Sequence, residues 1–225
     1  MQMQKAIDNL DRIIADVEDA RLQLSGHHIV KIIGISKYNT SDDINSLYKA
    51  GQRAFGENKV QDLKQKMSDL EELPIEWHFV GRLQKNKINN LIDLKPTLMQ
   101  SLDSLDLAKE LNKKLEAKQK TMNCLLQINS AKENSKTGVM PEDAVEIYKQ
   151  ISNTCPNIKL KGVMSIGAHV EDEDIIEASF KTTRAIFDEL QPLGAKYCSM
   201  GMSSDFKLAI KCGSNMIRVG STLFK

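Results

Sequence analysis

Eight short runs of β-branched and aliphatic residues alternate along this chain with longer stretches patterned at helical spacing. The runs are Val30–Ser36, Arg53–Gly56, Glu76–Gly81, Thr97–Leu102, Met122–Asn129, Lys159–Ile166, Lys196–Met200 and Met216–Gly220. Helical patterns separate them at Asp42–Ala50, Asn58–Leu70, Gln84–Ile92, Leu105–Lys118, Pro141–Thr154, Glu173–Leu190 and Ser204–Lys211. Ser41 with acids after it, and Pro141 followed by Glu142 and Asp143, read as helix starts; Gly51 and Gly213 read as stops. Strict β/α alternation implies a parallel sheet, because parallel neighbours need a crossover between them. Eight such units in a chain of 225 residues fit a closed α/β (β/α)8 barrel of the TIM type better than an open doubly wound sheet. The amphipathic segment Met1–Leu24 supplies an additional N-terminal helix, expected to fill the place in the outer ring beside the last strand. Without a linker, repeat or low-complexity tract, residues 1–225 read as a single domain.

Charge and cysteine content narrow the setting. The 31 Lys+Arg residues balance 30 Asp+Glu, a formal charge of +1, which argues against a dedicated nucleic-acid binder. The lysines of LEAKQK read as a solvated helix face. No apolar run approaches the roughly 20 residues that cross a bilayer, and the N-terminal segment has neither a signal peptide's apolar core nor a transit peptide's scarcity of acids. Cys124, Cys155, Cys198 and Cys212 stand apart, which argues against a structural zinc site and for a reduced, cytoplasmic chain with packing thiols. His27, His28 and His169 read as solvated, and the ten Met mostly as core filler.

A barrel places its chemistry at the C-terminal strand ends: Ser36-Lys37, Gly56-Glu57-Asn58, His78, Ser165, Ser199 to Ser203, and Arg218 to Ser221. Lys37 follows the apolar strand VKIIGIS directly. Seated against low-dielectric walls, such a lysine would lose proton affinity and offer a free amine for Schiff-base chemistry; a solvated loop lysine is the competing reading. The turns SMGMSSD and RVGST follow strands seven and eight, where barrels commonly hold a phosphate on backbone N–H groups. Ser203 at a helix start, Gly220 permitting close approach and the Ser221 hydroxyl fit that use, with Met200, Gly201 and Met202 beside them. Ordinary capping by Ser203 is the plainer alternative. Arg218 shares a strand face with Gly220, so it points inward and needs an acceptor, either a ligand atom or an acid such as Glu57. Lys136 and Gly138 in SKTG read as mouth rim or as a turn. Lysine, phosphate cradle and arginine together describe a site for a phosphorylated aldehyde, with pyridoxal 5′-phosphate the obvious candidate.

The blocks GISKYNT, FGENKVQ, WHFVGRLQKNK, LLQINSAKENSKTG, LKGVMSI and CSMGMSSDFKLAIKCGSNMIRVGSTLF resemble, in order, the pyridoxal phosphate homeostasis proteins. These are single-domain relatives of the alanine racemase barrel, and the resemblance runs from about residue 2 to residue 224. It implies a fold-type III pyridoxal phosphate barrel with Lys37 as the internal aldimine. Ser203, Gly220 and Ser221 would bind the phosphate, Arg218 would face the pyridine nitrogen, and Asn58 and His78 would line the mouth. An arginine there discourages ring protonation and weakens the cofactor as an electron sink. Two departures are Lys59, where the family more often has an aromatic, and a tail reading STLFK without the usual glycine.

The alanine racemases pair their lysine with a tyrosine from a C-terminal β-domain, and the sequence to Lys225 leaves no stretch for one. Ile166 stands where those racemases carry a histidine, and Tyr38, Tyr48, Tyr148 and Tyr197 match no block with the tyrosine's role. The expectation is therefore a monomeric cofactor-handling protein that buffers pyridoxal phosphate or delivers it to apo-enzymes, with no nucleic-acid or membrane partner. The alternatives are a weak pyridoxal phosphate enzyme acting on amino acids with Lys37 as single base, and a phosphosugar-type barrel enzyme.

Overall fold

The computed structural model describes residues 1–133, 137–168 and 170–225; Lys136 and His169 lie outside the described residues. Eight parallel strands close in sequence order: β1 (Lys31–Ile35), β2 (Ala54–Glu57), β3 (Glu76–Phe79), β4 (Leu98–Leu102), β5 (Met122–Ile128), β6 (Ile158–Ser165), β7 (Tyr197–Ser199) and β8 (Met216–Val219). Closure is made by β8 against β1, with Lys31 opposite Met216 and Gly34 opposite Val219. The helices are α1 (Met3–Leu24), α2 (Ser41–Ala50), α3 (Val60–Asp69), α4 (Ile88–Leu94), α5 (Leu105–Ala117), α6 (Ala144–Thr154), α7 (Glu173–Leu190), α8 (Phe206–Lys211) and α9 (Ser221–Phe224). The (β/α)8 expectation holds, and each strand lies within about two residues of its sequence-based bounds.

Local chemistry accounts for the boundaries. In α1, Ala6, Leu10, Ile13, Val17 and Ala20 recur every three or four residues and bury one face. That face packs between α8 and α2 and against α9, the turn of helix that follows β8, so α1 closes the outer ring. Asn9 Nδ2 donates to the Leu223 carbonyl at 3.1 Å, and Arg12 donates to the Thr222 carbonyl at 3.0 Å. The start of α2 is capped one residue earlier than expected: Thr40 Oγ1 accepts from the Asp43 N–H while Asp43 accepts from the Thr40 N–H, a reciprocal capping box. Ser41 instead donates to Asp69 at 2.6 Å. Gly51 ends the helix at φ 126°, as expected of a stop glycine.

Barrel strands bury both faces, and alternation sends their side chains to two separate places. One set packs outward under the helices in a continuous aliphatic and aromatic layer including Phe55, Leu63, Phe79, Leu111, Tyr148 and Phe180. The other points into the barrel, where Ile33, Ala54, Leu98, Leu125, Met164 and Met216 form a smaller apolar cluster. Beside that cluster the lumen carries buried polar side chains: His78, Gln100, Ser199 and Arg218. All four cysteines are buried and unpaired; burial pushes Cys198 up to about 12 and raises Cys124 and Cys212 as well.

Candidate functional site

A cavity of about 770 Å³ opens at the C-terminal end of the barrel, within the size range of small-molecule sites. Lys37, Asn58, Ser203, Arg218, Gly220 and Ser221 all line it, so residues from four strand ends converge as the sequence reading required. Ser204 and Thr222 join them, together with an apolar wall that includes Ile35, Met164 and Ile166.

Lys37 stands in the turn between β1 and α2, with its Nζ 5.0 Å from the centre of the Tyr38 ring. It is exposed, so the burial expected to free its amine is not what this structure shows. The turn beneath it is anchored by groups that sequence reasoning missed. Lys66 of α3 reaches back to donate to the Ser36 carbonyl at 2.7 Å and to Glu57 Oε1 at 2.6 Å, and Ser36 Oγ donates to the same carboxylate oxygen at 2.5 Å. Glu57 is fully buried and its Oε2 has no hydrogen-bond partner among the described residues. The expectation that Glu57 could pair with Arg218 is thus corrected: its partner is Lys66, whose helical spacing resembles that of a solvated lysine.

Arg218 is buried among neutral acceptors. It donates to Ser199 Oγ at 2.7 Å and to the Ser165 carbonyl at 2.8 Å, and burial pulls its pKa down to about 10. Three of its five N–H donors have no partner among the described residues, and the side chain lines the cavity. A buried guanidinium with uncommitted donors calls for a ligand acceptor.

The turns after β7 and β8 are tied to each other. Ser203 Oγ accepts from the Gly220 N–H at 3.1 Å and from Thr222 Oγ1 at 3.3 Å, which leaves its own proton to donate. The capping role is therefore not what Ser203 does: α8 begins at Phe206, two residues later than expected, and Asp205 at its N-cap accepts from the Met202 N–H at 2.6 Å. The backbone N–H groups of Ser203 and Ser204 have no partner among the described residues. A Cβ on Gly220 would stand 3.3 Å from the Ile35 carbonyl oxygen, so this rim has little room for a larger residue.

Three candidates fall elsewhere. His78 does not line this cavity; it points into the barrel and borders a separate recess with Glu76, Lys161 and Lys196 at the strands' N-terminal ends. Met200 is fully buried in the outer layer. Gly201 has φ 97°, and a Cβ there would meet Ala209 Cβ at 2.6 Å, so it lets α8 pack closely and does not line the cavity. His28, expected in solvent, is half-buried with Nε2 2.8 Å from the Ser214 carbonyl.

The donors therefore fit a phosphorylated ligand that carries an acceptor at its far end and an electrophile near Lys37. A closed parallel barrel with this arrangement at its mouth defines the class to which the sequence matches: the family model described as alanine racemase, N-terminal domain, covers residues 9–225. The chain belongs to that family, and within it to the pyridoxal phosphate homeostasis proteins. A Helicobacter pylori protein of that name is 56% identical over 216 residues, covering 96% of both chains. The Homo sapiens protein of that name is 34% identical, covering 86% of this chain and 75% of its own. Among solved structures, PipY of Synechococcus elongatus with pyridoxal phosphate bound matches at TM-score 0.79 and 31% identity, over 93% of this chain and 100% of that one. A Clostridium difficile alanine racemase shares the fold at TM-score 0.77 and 17% identity, over 96% of this chain and 59% of the racemase.

Proposed function

We propose that this chain binds pyridoxal 5′-phosphate in the mouth cavity, with Lys37 as its covalent anchor, and buffers or delivers the cofactor rather than carrying out amino-acid chemistry. When bound, the cofactor brings an aldehyde that condenses with a primary amine. Lys37 supplies the amine on a turn whose backbone is held by Lys66. Ser203 and Ser204 offer N–H groups without a partner among the described residues, Ser203 a hydroxyl proton, and Ser221 a hydroxyl beside Gly220, which suits a phosphate. Arg218 would donate to the ring nitrogen and keep it unprotonated, which restrains carbanion chemistry on any bound amine. Asn58 and Ile166 would close the walls. The observation that carries this reading is the convergence of Lys37, Ser203 and Arg218, from three separate strand ends, on one cavity.

The names of the relatives support a carrier over an enzyme. The buried thiols suit a reducing cytoplasm, and no helix among the described residues is long and apolar enough to cross a membrane. A single domain acting as a monomer and handing the cofactor to apo-enzymes completes the proposal.

Titration of the purified protein with pyridoxal phosphate, followed by visible absorbance, tests binding. Saturable uptake lost in Lys37→Ala supports it, and a protein that takes up none overturns it. Cofactor transfer to an apo-enzyme, without amino-acid turnover above that of free pyridoxal phosphate, supports the carrier; turnover well above that level contradicts it.

A further inference from the structure

Barrel interiors are ordinarily filled with layers of apolar side chains, yet here a continuous line of polar groups runs down the lumen from Arg218. Arg218 donates to Ser199 Oγ at 2.7 Å, Ser199 donates to Gln100 Oε1 at 2.6 Å, and Gln100 Nε2 lies 2.9 Å from His78 Nδ1. His78 Nε2 in turn lies 2.9 Å from Glu76 Oε1, and Lys31 donates to both oxygens of that carboxylate, at 2.5 and 2.6 Å. The members come from β8, β7, β4, β3 and β1, and the line ends at the N-terminal foot of the barrel, remote from the cavity.

The line has one direction. An amide N–H can donate only to an unprotonated ring nitrogen, so His78 carries its proton on Nε2 and donates it to Glu76. Burial holds the His78 pKa below its ordinary value, keeping the ring neutral. The hydrogen bond from His78, together with Lys31, pulls Glu76 down to about 2 and keeps it ionised. Each donor therefore points from the guanidinium toward the carboxylate. Ser199 presents lone pairs to Arg218 because its own proton is drawn to Gln100, and Gln100 keeps that orientation because its NH₂ end is fixed on His78.

From this geometry we infer that Glu76, His78, Gln100 and Ser199 are positioning residues that set the orientation of Arg218, so that a carboxylate at the foot of the barrel governs how tightly the mouth holds its ligand. The inference rests on the reading that the cavity takes pyridoxal phosphate. Glu76→Gln replaces an acceptor-only carboxylate with an amide that can turn either its oxygen or its N–H toward Nε2, so the His78 tautomer is no longer fixed. The ring can then move its proton to Nδ1, Gln100 can turn over, and Ser199 no longer holds the guanidinium against the Ser165 carbonyl in one pose. Coupled neighbours in one network depart from additivity, whereas independent fillers of a core add.

The test is a double-mutant cycle on pyridoxal phosphate affinity with Glu76→Gln and Gln100→Leu, joined by ¹⁵N imidazole NMR on the cofactor-free protein. Glu76→Gln is expected to weaken affinity by roughly fivefold in the otherwise intact chain and to add nothing once Gln100→Leu has cut the line. The NMR spectrum is expected to show the Nε2–H tautomer at His78 in the intact protein, a readout that stands whether or not the variants fold. A His78 proton on Nδ1, unchanged affinity in Glu76→Gln, or the same loss in both backgrounds would overturn the relay alone. An intact protein that takes up no pyridoxal phosphate would instead overturn the cofactor reading, and this inference with it.

Discussion

The two interiors of this molecule are built on different principles. Between helices and barrel wall, Leu, Ile, Phe and Val pack against one another, and the contacts are interchangeable in kind. Inside the barrel, a small apolar cluster shares the space with a directed line of hydrogen bonds from Arg218 to Glu76, in which each member is chosen for what it donates or accepts. The outer layer contributes most of the apolar burial and has no means of telling one ligand from another. The lumen contributes little apolar area, and it shapes the charge presented at the mouth. Stability and recognition are thus separated within one barrel, and substitutions should separate them too.

The largest effect is expected where a charge bridges the two. Lys66 belongs to a helix of the outer ring but neutralises Glu57 at the barrel's rim. Lys66→Met leaves a fully buried carboxylate unpaired and should cost about 3–5 kcal/mol, read as a shift of the denaturant midpoint. It should also loosen the turn carrying Lys37 and weaken cofactor uptake. A variant as stable as the parent would show that Glu57 does not depend on Lys66.

Purely within the outer layer, Leu111→Ala should cost about 2–5 kcal/mol through the cavity it leaves. Affinity for pyridoxal phosphate at temperatures where the variant is folded should stay as it was. A matched loss of affinity would erase the distinction between the two interiors.

The smallest effect concerns acid. Because folding lowers the His78 pKa, the unfolded chain takes up the ring proton first, and stability falls as pH drops below the ordinary value of 6.5. Glu76 works in the same direction further down: its depressed pKa adds stability that is full above 4.5 and is lost as pH falls toward 2. The melting temperature should therefore decline between pH 7 and pH 5 more steeply in the parent than in His78→Gln. Equal slopes would mean that His78 takes up its proton as readily when folded as when unfolded.

Periodicity made the barrel legible, since eight β-type runs separated by helical patterns leave few other closures. Lys37 and Arg218 were legible for a related reason: a strand end and the parity of a strand face determine where a side chain goes. Ser203 reads in the sequence as a phosphate donor with helix capping as the plainer alternative; it lines the cavity, three residues ahead of α8, and Asp205 takes the N-cap position instead. Asn58 lines the mouth, whereas His78 on the neighbouring strand turns into the lumen, a difference set by the register across β2 and β3. The relay was not legible at all. Its members are spread from residue 31 to residue 218, and only closure of the barrel brings them within hydrogen-bond reach.

Borohydride reduction of the protein saturated with pyridoxal phosphate, followed by peptide mass mapping, reports which side chain the cofactor is joined to. A single pyridoxyl adduct is expected on the peptide containing Lys37, absent from Lys37→Ala and reduced in Arg218→Met. Adducts scattered over surface lysines, or an equal yield in Lys37→Ala, would contradict Lys37 as the covalent anchor.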